Sequence, residues 1–415
     1  MTRMVFDEWG SSYSSRMQTM RRSAVRDLFA AASRSDIISL SGGMPDIGKL
    51  PLDLVSKAVA AAIDEEGISA LQYGSTDGRV QTKEIICMLM RDFDIEVKPD
   101  DIIITAGAQQ ALDLLGKTFI NPGDTIITEA PTYLGALQAF SAYEPNIVGV
   151  PFDDDGMRTD LLEEVLESSK GNMSKFIYTI PTFQNPGGVT MSLERRKELL
   201  ELANKYGVLV IEDDPYGRLR YSGEPVPCLR KLDENVIYLG TVSKVFAPGL
   251  RTGWIIAPQP ILNKINLAKQ GTDLCGSALN QVVVEHYFND TPWRETLDRL
   301  IAAYSVRKDA MMSALSEYFP PEATYTHPDG GFFLWVTLPK YVDTGQMLSL
   351  ALDSGVTYVP GDGCYPNGEG RNSMRIAFCY EEPEAITEAI RRLAGVIEDR
   401  VELCRAFVNA GALKY

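Results

Sequence analysis

Histidine is almost missing from this chain: 415 residues hold only His286 and His327. Imidazole-based metal sites and histidine-driven nucleophile triads have almost nothing to build on, and both residues read as structural. Cysteine is sparse as well. The six fall at 87, 228, 275, 364, 379 and 404 with no C-x-x-C pair. That excludes a zinc ribbon or a disulfide scaffold and leaves buried or incidental thiols in a reducing compartment. Positive charge is short: 40 Lys and Arg face 56 Asp and Glu, a net charge of -16. Phosphate backbones are bound by clustered cations that displace counterions, so nucleic acid is not an expected partner. Long apolar runs are missing too. No stretch approaches a membrane span, and the opening MTRMVFDEWG carries charges where a secretory leader would be apolar. A cytoplasmic protein without membrane contact is expected.

What remains is an ordinary globular composition, 45% hydrophobic and 23% charged, on a chain long enough for two lobes. The middle alternates short apolar runs with helical patterns, which predicts an α/β fold around a parallel sheet covered on both faces. The strand candidates are DIIITAG, DTIITEAP, KFIYTIP, GVLVIEDD and ENVIYLGT, with GWIIAP as a further one. They are rich in Ile and Val with little alternation, as strands buried on both faces should be. Between them, AQQALDLLGKTFI and SLERRKELLELANKYG read as helices. Earlier, Val55, Ala58, Val59, Ala62 and Ile63 fall at helical spacing behind the start signals Pro51 and Asp53. Late in the chain the order becomes helix, short strands (GGFFLWVTLP, VTYVP, SMRIAF), helix. There Ile386, Ala389, Ile390, Leu393 and Ile397 make one apolar stripe. The expected domains are an arm and helix over 1–50 that pack with the smaller domain, a large domain over 51–289, and a small α+β domain over 290–415.

Five segments carry candidate chemistry. In GTVSKVFAPGLRTGW, Lys244 follows an apolar strand and would sit at its carboxyl end, where open α/β sheets build their sites. A lone lysine there is equally a solvated loop charge. Thr241, Ser243 and Arg251 around it add hydroxyls and a forked cation, a set that suits a phosphate beside an imine. In ITAGAQQALDLLG a strand ends near Thr105, Gly107 permits a tight turn, and a helix starts near Ala108 and Gln109, leaving backbone N–H groups open to an anion. Such junctions are common in any α/β protein. In VLVIEDDPYGRLRY, Asp213 and Asp214 end a buried strand with Tyr216 just beyond. A buried carboxylate needs a positive partner or donors, and a protonated pyridine nitrogen would serve Asp213, while a turn or capping role suits Asp214 better. Asn185, in YTIPTFQNPGG, is a turn residue first, and a donor to a phenolate-like oxygen if functional. Tyr133, in EAPTYLGA, is either a core aromatic or a surface for a ring to stack on.

Taken together, S-K-x-x-x-P-G-L-R-x-G, D-x-x-Y and N-P-G-G, in this order from about Ile38 to Phe378, resemble the class I/II aminotransferases. These are enzymes of pyridoxal 5'-phosphate (PLP) with the aspartate-aminotransferase fold. The similarity is to the subgroup holding the 2-aminoadipate and kynurenine aminotransferases and the effector domains of MocR-type regulators. It implies a PLP-dependent transferase fold, a large domain with a mostly parallel central sheet flanked by helices plus a smaller α+β domain. It also implies roles. Lys244 would be the Schiff-base lysine and general base, Asp213 the partner of the pyridine nitrogen, and Tyr216 and Asn185 the donors to the ring oxygen. Tyr133 would stack on the ring, and Ala108, Gln109, Thr241, Ser243 and Arg251 would bind the phosphate. Tyr73, in LQYGSTDG, would reach the neighbouring subunit's phosphate, which implies a homodimer. Arg375 would clamp the substrate carboxylate, and Gly43 would let substrate approach the backbone. Arg26 falls where the aminoadipate-type enzymes carry an arginine for a distal carboxylate, and it reads equally as an exposed helix charge. Thr at 241 and Ala at 108 depart from the family's usual Ser, and both keep the needed donors.

The implied activity is ping-pong exchange of an amino group between an L-amino acid (aromatic, 2-aminoadipate-like or aliphatic) and a 2-oxo acid such as 2-oxoglutarate. Two other readings use the same cofactor shell. One is a PLP lyase, because the shell fixes the cofactor and not the bond cleaved. The other is the sensing half of a MocR-type regulator, against which the acidic charge and the short segment before ISLSGG both count.

Overall fold

The computed structural model describes residues 7–20, 34, 36–168 and 174–409. Two sheets organise them. After the short strand β1 (Ile38–Ser39) come β2 (Ile102–Thr105), β3 (Thr125–Ala130), β4 (Asn146–Asp153), β5 (Gly156–Met157), β6 (Phe176–Thr179), β7 (Leu209–Asp214), β8 (Ile237–Thr241) and β9 (Gly253–Ile256). The last eight form one sheet in the order β2-β9-β8-β7-β6-β3-β4-β5. Its interior pairs, β8 with β7, β7 with β6, β6 with β3 and β3 with β4, are parallel. The strand read as GWIIAP is different: β9 runs antiparallel to both neighbours. Two antiparallel pairings cancel, so β2 points the same way as β8. The carboxyl ends of β2, β3, β6, β7 and β8 therefore share one edge of the sheet, where an α/β fold gathers its functional loops.

The continuous apolar runs are explained by burial on both faces. Every residue of β2, β3, β6, β8 and β9 is buried. The helices Ala108–Phe119 and Leu193–Tyr206 follow β2 and β6, and each has a sequence-level start or stop: Gly107 at positive φ before the first, the Ser192 hydroxyl capping and Gly207 ending the second. β4 was not among the strand candidates, because Gly149 and Pro151 interrupt its apolar run.

The smaller sheet is antiparallel, in the order β10-β11-β14-β13, from β10 (Thr324–Tyr325), β11 (Phe333–Thr337), β13 (Val359–Pro360) and β14 (Ser373–Ala377). β12 (Val356–Thr357) pairs in parallel with β1, which ties the segment after the N-terminal arm to this unit. The long helices Trp293–Tyr318 and Pro383–Asn409 pack on it. Ile386, Ala389, Ile390, Leu393 and Ile397 are all buried, as their spacing requires. The stripe of the helix Leu52–Asp64 behaves differently: Ala58 and Ala62 are buried, while Val59 and Ile63 are exposed. Among the described residues no helix is long and apolar enough to cross a membrane.

Candidate active site

One cavity of about 640 Å³ opens over the carboxyl edge of the large sheet. It brings together Lys244, Asp213, Tyr216, Asn185, Tyr133, Ala108, Gln109, Thr241, Ser243, Arg251, Arg375 and Gly43 from five loops and β14. Two sequence-predicted residues are not part of this. Tyr73 is 79% exposed and is not on the cavity wall. Arg26 lies outside the described residues.

Lys244 stands just past β8. Its Nζ donates to the Gly43 carbonyl at 2.9 Å and sits 5.9 Å from the centre of the Tyr216 ring. Burial pushes its amine down to about 8, and the Arg375 and Arg251 cations act in the same direction against the nearby Cys379. An amine at that value is largely free of its proton at mildly alkaline pH and can act as nucleophile or base.

Asp213 is buried at the end of β7. One carboxylate oxygen accepts from the Tyr178 hydroxyl at 2.7 Å, and the other, Oδ1, has no partner among the described residues. Burial raises the carboxyl to about 7. A buried lone oxygen costs free energy unless a donor or cation meets it. Asp214 beside it is satisfied locally, by the Gly217 N–H at 2.8 Å and the Tyr238 hydroxyl at 2.9 Å. The two acids thus divide as a site-facing group and a turn acid.

A third element is the turn between β2 and its helix. Gly107 holds φ 75 and provides no side-chain cap, so the first-turn amides at Ala108 and Gln109 face the cavity. A Cβ at 107 would run into the Arg251 guanidinium, which lies across the turn. Thr241 and Ser243 complete this corner, their hydroxyls 2.9 Å apart. Amides, hydroxyls and a guanidinium converging on one pocket form an anion cradle.

Opposite, Arg375 on β14 donates to Asn185 Oδ1 at 3.1 Å and to the Ser41 carbonyl at 2.8 Å, and lies 4.1 Å from the centre of the Phe333 ring. Its Nε is buried with no partner among the described residues. A cation with spare donors, held flat against an aromatic face, suits a carboxylate.

These features decide between a generic α/β pocket and a specific one. The family model for aminotransferase class I and II matches residues 35–393. The chain belongs to that family. Aromatic-amino-acid aminotransferase 1 of Thermococcus litoralis is 45% identical over 94% of this chain and 95% of its own length. Among solved structures, the multiple substrate aminotransferase of Thermococcus profundus superposes with a TM-score of 0.91 at 43% identity, covering 96% of this chain and all of that one, 100%. The Pyrococcus horikoshii kynurenine aminotransferase, solved with PMP, kynurenine and its product, gives 0.90 at 44% identity over 94% of this chain and 98% of that one. The aminotransferase therefore uses PLP and has the aspartate-aminotransferase fold, with the mostly parallel sheet and smaller sheet described above.

Sequence reasoning missed several neighbours of this site. Tyr178, Ile180 and Phe333 read as strand or core residues, since nothing in a buried apolar run tells which side chain faces a cavity. Glu129 also escaped. It is buried, raised to about 7 by burial, and accepts from the Thr179 hydroxyl at 2.6 Å and Gln184 Nε2 at 2.9 Å. Its only sequence signal was an acid inside an otherwise apolar strand.

Proposed function

We propose that the cavity binds PLP through the residues named from the sequence and transfers amino groups between L-amino acids and 2-oxo acids. The observation that carries the assignment is the buried, partnerless Asp213 oxygen facing the same cavity as Lys244. That oxygen fits the protonated nitrogen of the PLP ring, and the Gly107 turn with Thr241, Ser243 and Arg251 fits its phosphate. When bound, PLP supplies an aldehyde that captures the substrate amine and a cationic ring that takes up the electron pair left at Cα.

The chain's own residues do the rest. Asp213 keeps the proton on the ring nitrogen, and its high folded value favours a shared proton. Asn185 and Tyr216 donate to the ring oxygen, and Tyr133 stacks on the ring. Ala108, Gln109, Thr241, Ser243 and Arg251 bind the phosphate. Arg375 holds the substrate carboxylate, with Gly43 giving it room, so that the Cα–H bond faces Lys244. Lys244 Nζ then removes the Cα proton.

The amino acid is aromatic, 2-aminoadipate-like or aliphatic, and 2-oxoglutarate is the acceptor. Support comes from Met20, Leu134, Ala139 and Ala142 on the outer wall, which offer apolar surface, and from relatives whose names give aromatic amino acids and kynurenine as substrates. Arg26 is assigned to a distal carboxylate. A homodimer completes each site with the partner's Tyr73. It is supported by Leu52, Ile68, Leu71 and Tyr73, all exposed near one another in sequence and out of keeping with a solvated face. Domain limits of 1–50, 51–289 and 290–415 are supported by the β1–β12 pairing and the separate sheets. A cytoplasmic setting is supported by six free cysteines.

The test is optical. Added amino acid should bleach the yellow band of the PLP-loaded protein, 2-oxoglutarate should restore it, and Lys244→Ala should abolish turnover while PLP still binds. A spectrum indifferent to every L-amino acid overturns the reading, and pyruvate and ammonia formed without an oxo acid would make it a lyase.

A further inference from the structure

The peptide just before the Gly107 turn is held from both sides. Arg251 Nη2 reaches the Ala106 carbonyl at 3.3 Å, and the Ala106 N–H donates to Gln110 Oε1 at 2.7 Å. Gln110 is not on the cavity wall. Its other end, Nε2, donates to Asp273 Oδ2 at 2.7 Å. Behind Asp273, Lys269 Nζ donates to both carboxylate oxygens, at 2.8 and 2.9 Å, and the Lys269 side chain is 0% exposed.

An ion pair with one member wholly buried is a costly way to fill space, since well-packed apolar side chains stabilise as much or more. Its use here is orientation. Without Lys269, the Asp273 charge would oppose an anion at the neighbouring turn. With it, a neutral amide is all that reaches the turn, and that amide is fixed at both ends. A glutamine used as a rigid strut in this way sets the plane of the Ala106 peptide, and with it the direction of the amides that follow.

We infer that Gln110, anchored by Asp273 and Lys269, is a positioning residue for the phosphate cradle: it aims the amides of the Gly107–Gln109 turn at the cofactor's phosphate group. This rests on the assignment of that turn to phosphate under the proposed function. Gln110 touches neither substrate nor cofactor and acts only through the turn.

The experiment compares two aldehydes that differ only in the phosphate. Dissociation constants for PLP and for pyridoxal are measured by absorbance on the parent apoprotein, on Gln110→Ala, on Gln110→Glu and on the swap Gln110→Glu/Asp273→Asn. Gln110→Ala leaves the Ala106 N–H without an acceptor. Gln110→Glu keeps the acceptor and sets carboxylate against carboxylate at Asp273. In the swap, the amide introduced at position 273 donates to the carboxylate introduced at position 110. The carbonyl of that amide still accepts from Lys269, and net charge is unchanged. Each single variant should weaken PLP about tenfold, the size of one lost or opposed polar contact, with pyridoxal unaffected. The swap should recover most of the loss. Single variants that bind PLP as tightly as the parent, or that lose PLP and pyridoxal in equal proportion, overturn the inference. Should Gln110→Ala fail to fold, Gln110→Glu against the swap decides alone. A parent protein that takes up neither aldehyde would bring down the proposed function instead.

Discussion

Lys244 Nζ and the Gly43 carbonyl meet at 2.9 Å across 201 residues of sequence. The loop that brings Gly43 there is stitched to the end of β14. Arg375 Nη2 donates to the Ser41 carbonyl at 2.8 Å, and Cys379 Sγ donates to the Gly42 and Met44 carbonyls at 3.4 and 3.3 Å. One strand end of the smaller sheet thus sets both the carboxylate-binding arginine and the contact made by the lysine of the larger one. A shift between the two units changes both at once.

The depressed Lys244 amine has a pH signature. At about 8 against an ordinary 10.5, the proton-free fraction is near one-tenth at pH 7 and nine-tenths at pH 9. The rate of colour development when PLP is added to the apoprotein should rise about tenfold over that interval and level off. A climb of about a hundredfold with no plateau would describe an ordinary lysine.

Gly43→Ala tests how tightly the loop is set. The new Cβ would run into the Phe333 ring, which is buried beneath Arg375 and edge-on to Tyr216 at 5.9 Å. The ring has no room to turn, so the loop must give and carry the Gly43 carbonyl off Lys244. Overpacking of this kind costs about 1–3 kcal/mol, visible as a lower melting temperature. Turnover should fall with it, and the pH plateau of colour development should shift. Unchanged melting and an unchanged plateau would show that the loop adapts freely.

Much of this site was legible in the sequence because each piece sits where a strand stops. SKVFAPGLR, EDDPY, QNPGG and TAGAQQ are breaks in apolar runs, and a break must satisfy its polar groups locally. Their convergence follows once the strands share an edge, which the alternating pattern implied. Three things were not legible. The antiparallel insertion of β9 depends on pairing across the sheet, and an apolar four-residue strand carries no direction. The Gln110–Asp273–Lys269 strut joins residues 163 positions apart and resembles ordinary helix polarity at each end. The exposure of Val59 and Ile63 could not be told from a second buried face, because periodicity marks apolar positions without naming what covers them.

Arg375→Lys separates charge from geometry. Lysine keeps a cation near the substrate carboxylate and loses the fork and the flat contact with Phe333. It also frees Asn185 Oδ1 and the Ser41 carbonyl. The loss of one paired, charge-assisted contact should lower kcat/KM for the amino acid by about 10- to 100-fold. Saturation with amino acid should move to higher concentration, while PLP uptake stays as it was. An unchanged KM would remove Arg375 from substrate binding.

Asp213→Asn should strengthen the protein without its cofactor and weaken it with it. The Asp213 carboxyl moves from an ordinary 3.8 to about 7 on folding, chiefly through burial. Below about pH 4 it is protonated in folded and unfolded chains alike and costs nothing. Between there and pH 7 the unfolded chain sheds the proton while the folded chain retains it, so apoprotein stability falls as pH rises, and above pH 7 the loss is constant. Asparagine has no proton to shed. Its apoprotein should melt higher than the parent at pH 8, with the gain shrinking as the pH is lowered toward 5. Bound PLP reverses the order, because its ring N–H meets the parent's partnerless Oδ1 and turns a buried penalty into a charged hydrogen bond. Equal melting of the two apoproteins at pH 8 would mean that water, and not the cofactor, satisfies that oxygen.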